Sequence, residues 1–254
     1  MNRYGDDVEQ SAKALAAGSS RPSRRDRVRA ATIEEIKTTA MRLMNDNGAD
    51  IRFADIAREM GLSAPALYRY FADRDALLTA LMVDGFHEFA TQIAAALDTA
   101  PPDDLAARVE AAAGAYRRFA AADPRRFSLL FGLPAPGFVS HADGAAVHAN
   151  VTAMTHLEQL VRSVIDHGVP PSPLVRDVGP ALASEIPNKQ APDGARIPAN
   201  TYQALLHTLA AIHGFACLET FGHLEWISEQ ARDELFQAQI TLLAQVMGGP
   251  SAAD

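Results

Sequence analysis

The 254-residue chain lacks several features that would assign it to other classes of protein. Its single cysteine, Cys217, excludes a disulfide within the chain, which is typical of a reducing compartment. No apolar run approaches the roughly 18 residues of a membrane-spanning helix. The acidic N-terminus also has no apolar signal-peptide segment. We therefore expect a cytoplasmic protein.

The chain also lacks an excess of positive charge, which argues at first against a surface built for nucleic acid. Its formal net charge is −8. The charge is uneven, however: residues 1–80 hold 13 Lys and Arg against 12 Asp and Glu, whereas residues 81–254 hold 10 against 19. Basic side chains concentrate at Arg21, Arg24, Arg25, Arg27, Arg29, Lys37 and Arg42. This stripe fits either a solvated helix start or a phosphate-binding surface.

Strand-like alternation is absent too, and apolar residues recur instead with the period of a helix, so we predict an all-α fold. Residues 1–23 are polar and broken by Gly, Pro and Ser, which predicts a flexible tail. Helices are then expected over residues 25–47 and 53–60, with Gly61 ending the second. A helix of barely two turns should follow, N-capped by Ser63 and with Pro65 in its first turn. Asp73 should cap a fourth helix that runs to about Leu97.

The remaining pattern predicts six more helical segments separated by Pro and Gly. They cover approximately residues 104–122, 124–132, 145–168, 175–186, 200–222 and 227–247. The predicted organisation has three parts. These are a tail over residues 1–23, a helix-turn-helix domain over residues 24–80, and a larger helical domain over residues 81–254.

Two short helices joined by a tight turn at Gly61 have the build of a helix-turn-helix, whose second helix enters the major groove of DNA. Spacing alone is equally compatible with a structural helical hairpin. The residue types favour DNA. Leu67 and Phe71 should point to the core, whereas Tyr68, Arg69 and Tyr70 present polar tips that can contact phosphates or bases.

Residues 25–81 resemble the TetR/AcrR family of transcriptional repressors. The likeness is carried by the apolar stripe of the first helix and by the strings FADIAREMGLS (residues 53–63), LYRYF (residues 67–71) and DRDALL (residues 73–78). The resemblance implies a homodimer with an N-terminal DNA-binding domain and a helical domain that binds a small ligand. It also implies a repressor released from a palindromic operator by that ligand.

The resemblance further implies DNA-contacting positions. Contacts at or near base edges are expected from Ala64, Pro65, Ala66, Tyr68 and Arg69. Because Ala and Pro side chains cannot hydrogen-bond to bases, Arg69 is the best candidate for polar base readout. The remaining candidates, most of them phosphate contacts, are Arg52, Ser63, Tyr70 and Arg74, together with Arg24 and Arg25 in an N-terminal arm. Arg52 stands where the family often has a capping Thr or Ser, a role Arg cannot fill.

The C-terminal part resembles the family's subgroup named for a Trp, a His and a Gly. The likeness rests on AYRRF (residues 115–119), DPRRF (residues 123–127) and IHGF (residues 212–215), although the only Trp, Trp226, lies downstream. A ligand pocket is expected from Phe86, Phe89, Phe127, Phe131, Met154, Leu157 and His213. Plain core packing is the alternative for each of these residues.

Two apolar stripes in the last segments could form a dimer interface or belong to the core of one chain. They are Leu205, Leu209, Ile212 and Ala216, and Leu235, Leu242, Leu243 and Val246. His207 and His213 lie about 240° apart around a helix, so they cannot share a metal, and neither a metal nor another cofactor is predicted.

An enzyme is not expected, because the sequence has no HExxH, no P-loop and no GxGxxG after a strand. The remaining alternative is a DNA-organising or ligand-free DNA-binding protein without a regulatory role. Such a protein would show little sequence preference and no defined operator.

Overall fold

The computed structural model describes residues 23–47, 51–132, 144–153, 177–185 and 198–248. Within these ranges the regular structure is helical throughout, which confirms the predicted all-α class. The helices are α1 (Arg24–Asn47), α2 (Phe53–Glu59), α3 (Ala64–Leu67), α4 (Arg74–Thr99), α5 (Leu105–Ala122), α6 (Pro124–Phe131), α7 (residues 145–153), α8 (Pro180–Glu185), α9 (Ala199–Thr220) and α10 (Glu229–Val246). None of them is long and apolar enough to cross a membrane.

Side-chain caps explain where several helices begin. The Asp73 carboxylate accepts a hydrogen bond from the backbone N–H of Ala76 at 2.7 Å, so the predicted cap of α4 is confirmed. Asp104, Asp123 and Ser228 cap α5, α6 and α10 in the same way. Each bond satisfies an N–H that has no partner within the helix.

Two helices are shorter than their sequence patterns predicted. α3 has only four residues, and the chain continues through turns from Tyr68 to Tyr70. Ser63 occupies the N-cap position, but its side chain makes no capping hydrogen bond, so that part of the prediction is wrong. α8 begins at Pro180 after the non-helical residues 177–179, because a Pro at the start of a helix needs no N–H donor.

The helices bury two hydrophobic cores. The first joins α1, α2, α3 and the first turns of α4, and Leu81 is its last fully buried member. The second begins at Phe86 of α4 and includes residues of α5, α6, α7, α9 and α10. α4 therefore runs through both cores, and α6 also contacts both, because Leu129 packs on the first while Phe127 and Leu130 are buried in the second.

The stripes considered for a dimer interface fall largely inside the chain. In α9, Leu205, Ile212 and Ala216 are buried in the second core, so an intermolecular role for this stripe is wrong. In α10, Leu243 is also buried, whereas Leu235 and Leu242, which share another side of the helix, are about half exposed.

Candidate functional site

The turn between α2 and α3 depends on one glycine. Gly61 has φ +64°, a left-handed conformation that most side chains disfavour. The turn closes with a hydrogen bond from the Leu62 N–H to the Ala57 carbonyl at 2.8 Å. A Cβ at Gly61 would meet open space, so the backbone angle rather than crowding requires glycine. This turn orients α3 across α2.

The segment over residues 63–70, here termed the recognition segment, has a buried side and an exposed side. Leu67 is buried, as predicted, and so is Ala66, at 8% exposure. This burial leaves little of the Ala66 methyl group available for a contact with a base edge, and the predicted contact stays a prediction. Ala64 is partly buried against the first core. The burial of these two alanines could not be predicted from the sequence pattern, because Ala is found both in cores and on surfaces.

Four side chains are exposed along the recognition segment: Ser63 at its start, then Pro65, Tyr68 and Arg69. Tyr68 is 58% exposed, and its ring leans on Phe53 of α2 with 5.1 Å between the centroids. Tyr70 is partly buried on the first core. The side of the segment turned to solvent thus combines an aromatic ring, a guanidinium group and a small rigid ring, a set that can enter a groove.

The first turns of α1 reach the recognition segment. Arg29 donates from Nη1 to the main-chain carbonyl of Arg69 at 3.1 Å, and its guanidinium lies over the Tyr70 ring at 5.3 Å. Arg24 and Arg25 lie in the same helix and are exposed. Both arginines stand in the first turn of a helix that starts at Arg24, and their contact with DNA as part of an N-terminal arm stays a prediction. Residues 1–22 lie outside the described part of the chain.

The sequence reasoning missed the signal for this helix start. Ser23 and Asp26 bond reciprocally: the Ser23 hydroxyl accepts from the Asp26 N–H at 3.2 Å, and the Asp26 carboxylate accepts from the Ser23 N–H at 3.2 Å. Ser-x-x-Asp is a capping-box spacing that is visible in the sequence.

A compact charged group marks the start of α2. The Asp55 carboxylate accepts from Arg52 Nε at 2.9 Å and from Arg58 Nη2 at 2.9 Å. The Arg52 hydrogen bond is the largest cause that lowers the pKa of Asp55 below its usual value. As expected, the Arg52 side chain makes no cap. The predicted phosphate contact Arg74 is partly buried, and its Nε donates to the Ile51 carbonyl at 3.2 Å, so it also holds the chain ahead of α2.

The second core contains a cavity of about 440 Å³. Its lining comes from α5, α6, α7 and α9 and consists of Tyr116, Phe131, Asn150, Leu206, Leu209, Ala210 and His213. Of the predicted pocket residues, Phe131 and His213 line this cavity. Pockets of this size hold small organic ligands, typically in the range of about 300–1,000 Å³.

Three other predicted pocket residues lie behind the cavity wall. Phe86, Phe89 and Phe127 are fully buried. Two of their rings contact the ring of Phe131, which lines the cavity: Phe89 at 5.4 Å and Phe127 at 5.3 Å between ring centroids. Placing them in the lining is wrong, because their rings support the lining instead. Met154 and Leu157 lie outside the described residues.

The two C-terminal motifs pair across the bundle. The Tyr116 hydroxyl lies 2.8 Å from His213 Nδ1, and Arg117 donates twice to the Glu219 carboxylate, from Nε at 2.6 Å and from Nη2 at 2.5 Å. Arg117 also bonds Asp233 of α10 at 2.8 Å. These bonds tie α5 to α9 and α10, and the Tyr116–His213 pair lies in the cavity lining. Burial keeps the pKa of His213 below its usual value.

The fold and these two sites define a helix-turn-helix DNA-binding protein that carries a second helical domain with a ligand-sized cavity. Residues 36–81 match the family model described as bacterial regulatory proteins, tetR family, and residues 109–243 match the tetracyclin repressor-like C-terminal domain. The chain belongs to the TetR family of transcriptional regulators. This membership confirms the expectation of a regulator rather than an enzyme.

Known relatives agree with this assignment. The HTH-type transcriptional regulator Rv1816 of Mycobacterium tuberculosis is 28% identical over 208 residues, which cover 81% of this chain and 87% of the relative. The solved structure of SCO4313 superposes with a TM-score of 0.68 at 28% identity, over 87% of this chain and 98% of that one. A protein of unknown function from Rhodococcus sp. RHA1, at 24% identity and a TM-score of 0.62 over 85% of this chain and 95% of that one, shares the fold.

Proposed function

We propose that this regulator is a repressor that binds a palindromic operator as a homodimer and is released by a small ligand. The observation that carries DNA reading is the exposed row of Pro65, Tyr68 and Arg69, set on a turn whose other side is buried. Arg69 is the proposed base reader. Backbone contacts are proposed for Arg24, Arg25, Arg52, Ser63, Tyr70 and Arg74, and Ala64 is a proposed close-approach position.

Dimerisation is supported by exposed apolar faces on the last two helices. Leu218 and Phe221 are each 46% exposed at the end of α9, and Leu235 and Leu242 are exposed two turns apart on α10. Isolated exposed leucines are ordinary, but several large apolar side chains exposed on two neighbouring helices favour an interaction surface. A two-fold pair would present its recognition segments to successive major grooves about 34 Å apart.

Coupling between ligand and DNA is supported by the position of α6. Its last residue, Phe131, lines the cavity, and Leu129, two residues earlier, packs on the core of the DNA-binding domain. Arg126 of α6 also pairs with Glu88 of α4. A ligand that moved Phe131 would therefore shift the helix that touches both cores, and ligand preference for one arrangement would change the spacing of the two recognition segments.

In vitro selection from random duplex DNA tests the proposal. The expected result is enrichment of an inverted repeat whose half-sites lie one helical turn apart, with a protein dimer bound. Enrichment of no sequence would instead support a DNA-organising role, and an operator insensitive to every ligand would support ligand-free binding.

Leu242→Lys tests the dimer surface. The variant should elute as a monomer in size-exclusion chromatography with light scattering and lose operator affinity, because a charge would be buried in the interface. Val151→Lys, at a 60% exposed position in α7, introduces the same charge away from α9 and α10; it is the matched control and should stay dimeric. If the Leu242→Lys variant stays dimeric, the dimer interface does not include Leu242.

Three finer assignments belong with this proposal. The division into a tail (1–23), a DNA-binding domain (24–80) and a ligand-binding and dimerisation domain (81–254) is supported by the change of core between Leu81 and Phe86. Membership of the subgroup named for Trp, His and Gly stays a prediction that rests on the sequence around His213. A cytoplasmic location is proposed because the proposed target is DNA.

A further inference from the structure

The cavity lining contains hydrogen-bonding groups without a fixed charge. Phe131, Leu206, Leu209 and Ala210 are apolar, and the polar members are Tyr116, Asn150 and His213. Among the lining residues that the structure describes, none is an acid, a lysine or an arginine. Burial keeps the pKa of His213 below its usual value of 6.5, which favours the neutral imidazole at pH 7. The described lining offers neither a cation nor an anion to a charged ligand.

A second feature of the lining is a buried polar atom. Among the residues that the structure describes, none donates a hydrogen bond to the buried side-chain oxygen of Asn150. Leaving a buried acceptor unsatisfied costs about 1–3 kcal/mol. A ligand group that donates to this amide would remove the cost. A hydroxyl group suits Asn150 whichever way its side-chain amide is turned, because a hydroxyl can donate to the amide oxygen and accept from the amide nitrogen.

The Tyr116 phenol provides a second point of attachment. It shares one hydrogen bond with His213 Nδ1, whose other nitrogen, Nε2, lies 3.4 Å from Cys217 Sγ. Whichever partner donates in the Tyr116–His213 bond, the phenol retains either a proton or a lone pair for another group. Tyr116 and Asn150 both line the cavity, so a single ligand can meet both.

We propose that the effector of this regulator is a neutral, largely apolar molecule of one or two rings that carries a hydroxyl group. This inference rests on the ligand-release part of the proposed function. Asn150 and Tyr116 bind the hydroxyl, while Phe131, Leu206 and Leu209 cover the apolar body. A carboxylate in the same place would lose its hydration without gaining a cation from the described lining, so we expect the cavity to bind acids of the same shape more weakly.

Three probes of one shape test this: 2-naphthol, naphthalene and 2-naphthoate, titrated into the full-length protein by isothermal titration calorimetry at pH 7.5. We expect 2-naphthol to bind about tenfold more tightly than naphthalene, which is about 1.4 kcal/mol, and at least about tenfold more tightly than 2-naphthoate. Equal affinities, tighter binding of 2-naphthoate, or no binding of any probe would overturn the proposal.

Variants locate the binding groups. Asn150→Leu should abolish the advantage of 2-naphthol over naphthalene while keeping the affinity for naphthalene, and Tyr116→Phe, which keeps the ring, should reduce that advantage. Val151→Ala, at a 60% exposed neighbour in α7, is the control and should keep the wild-type order. A wild-type 2-naphthol advantage in both Asn150→Leu and Tyr116→Phe would overturn the assignment.

DNA binding is measured separately on the selected operator. Loss of the 2-naphthol preference in a protein that still binds its operator overturns only the ligand chemistry. Selective 2-naphthol binding by a protein that selects no operator supports the cavity chemistry and overturns the repressor function.

Discussion

The guanidinium of Arg29 donates a hydrogen bond across 3.1 Å to the main-chain carbonyl of Arg69, the residue proposed to read a base. The two residues lie 40 positions apart in sequence. Because the same guanidinium lies over the Tyr70 ring, the second turn of α1 holds the end of the recognition segment in place. Arg29, one member of the basic stripe, therefore fixes the recognition segment from within the protein.

Arg29→Met should weaken operator binding without changing its salt dependence, because a brace is lost and no phosphate contact is lost. The measurement is the dissociation constant over a series of salt concentrations. Arg25→Met, at an exposed position in the first turn, is the comparison, and should reduce the slope of log K against log [salt] by about 0.9 if Arg25 contacts one phosphate. A similar reduction in Arg29→Met would show that Arg29 binds phosphate itself.

Arg69→Ala should relax sequence preference at one base pair in each half-site, by about 1–3 kcal/mol. Affinities for the operator and for single-base variants, measured for both proteins, give this value directly. Arg58→Ala, an exposed cation of α2, is the control and should lower affinity for all sequences alike or leave it unchanged. Uniform weakening by Arg69→Ala would identify Arg69 as a phosphate contact.

Gly61→Ala should destabilise the protein by about 1–2 kcal/mol, because at a left-handed φ of +64° the Cβ comes too close to the carbonyl oxygen that follows it in the chain. Gly61→Asn should cost less, since Asn tolerates this region. Urea unfolding measures both. Gly179→Ala is the control, because that glycine also has open space around it but no left-handed φ. If Gly61→Ala lowers the free energy of unfolding no more than Gly179→Ala does, the left-handed backbone at residue 61 does not require glycine.

His213 should make stability depend on pH. Its folded-state pKa is lowered by burial from 6.5, so below about pH 6.5 the unfolded chain binds a proton that the folded protein resists. This contribution is therefore fully present above pH 6.5 and is lost as the pH falls toward the folded-state pKa. The free energy of unfolding, measured by urea between pH 7.5 and 5, should fall less steeply in His213→Gln than in the wild type.

His207→Gln removes an exposed imidazole from the same helix and is the matched control. An identical pH slope in the wild type and in His213→Gln would show that His213 does not produce the dependence.

Local sequence signals predicted most of the helices, because each signal acts within a few residues. Asp73 and Gly61 acted as predicted, since a cap and a left-handed turn depend only on adjacent backbone. α3 was predicted too long, because one turn of helix followed by further turns also places Leu67 and Phe71 on the core. Periodicity cannot separate these two backbones.

The candidate sites were predicted less completely than the helices. Aromatic residues near a cavity share one pattern, and only packing divided Phe131, in the lining, from Phe89 and Phe127 behind it. The burial of Ala66 could not be predicted either, because a methyl side chain is compatible with both the core and the surface. Asn150 was missed, since one amide in a helix acquires meaning only when the cavity around it is known.

The sequence by itself determined the all-α class, the helix-turn-helix and the separation of a basic start from an acidic body, because periodicity, caps and charge are properties of neighbouring residues. Only the tertiary structure decided the partners: Arg29 with Arg69, Tyr116 with His213, and Arg117 with Glu219. Those contacts join residues 40, 97 and 102 positions apart, and helix packing rather than local chain preference brings them within hydrogen-bonding distance.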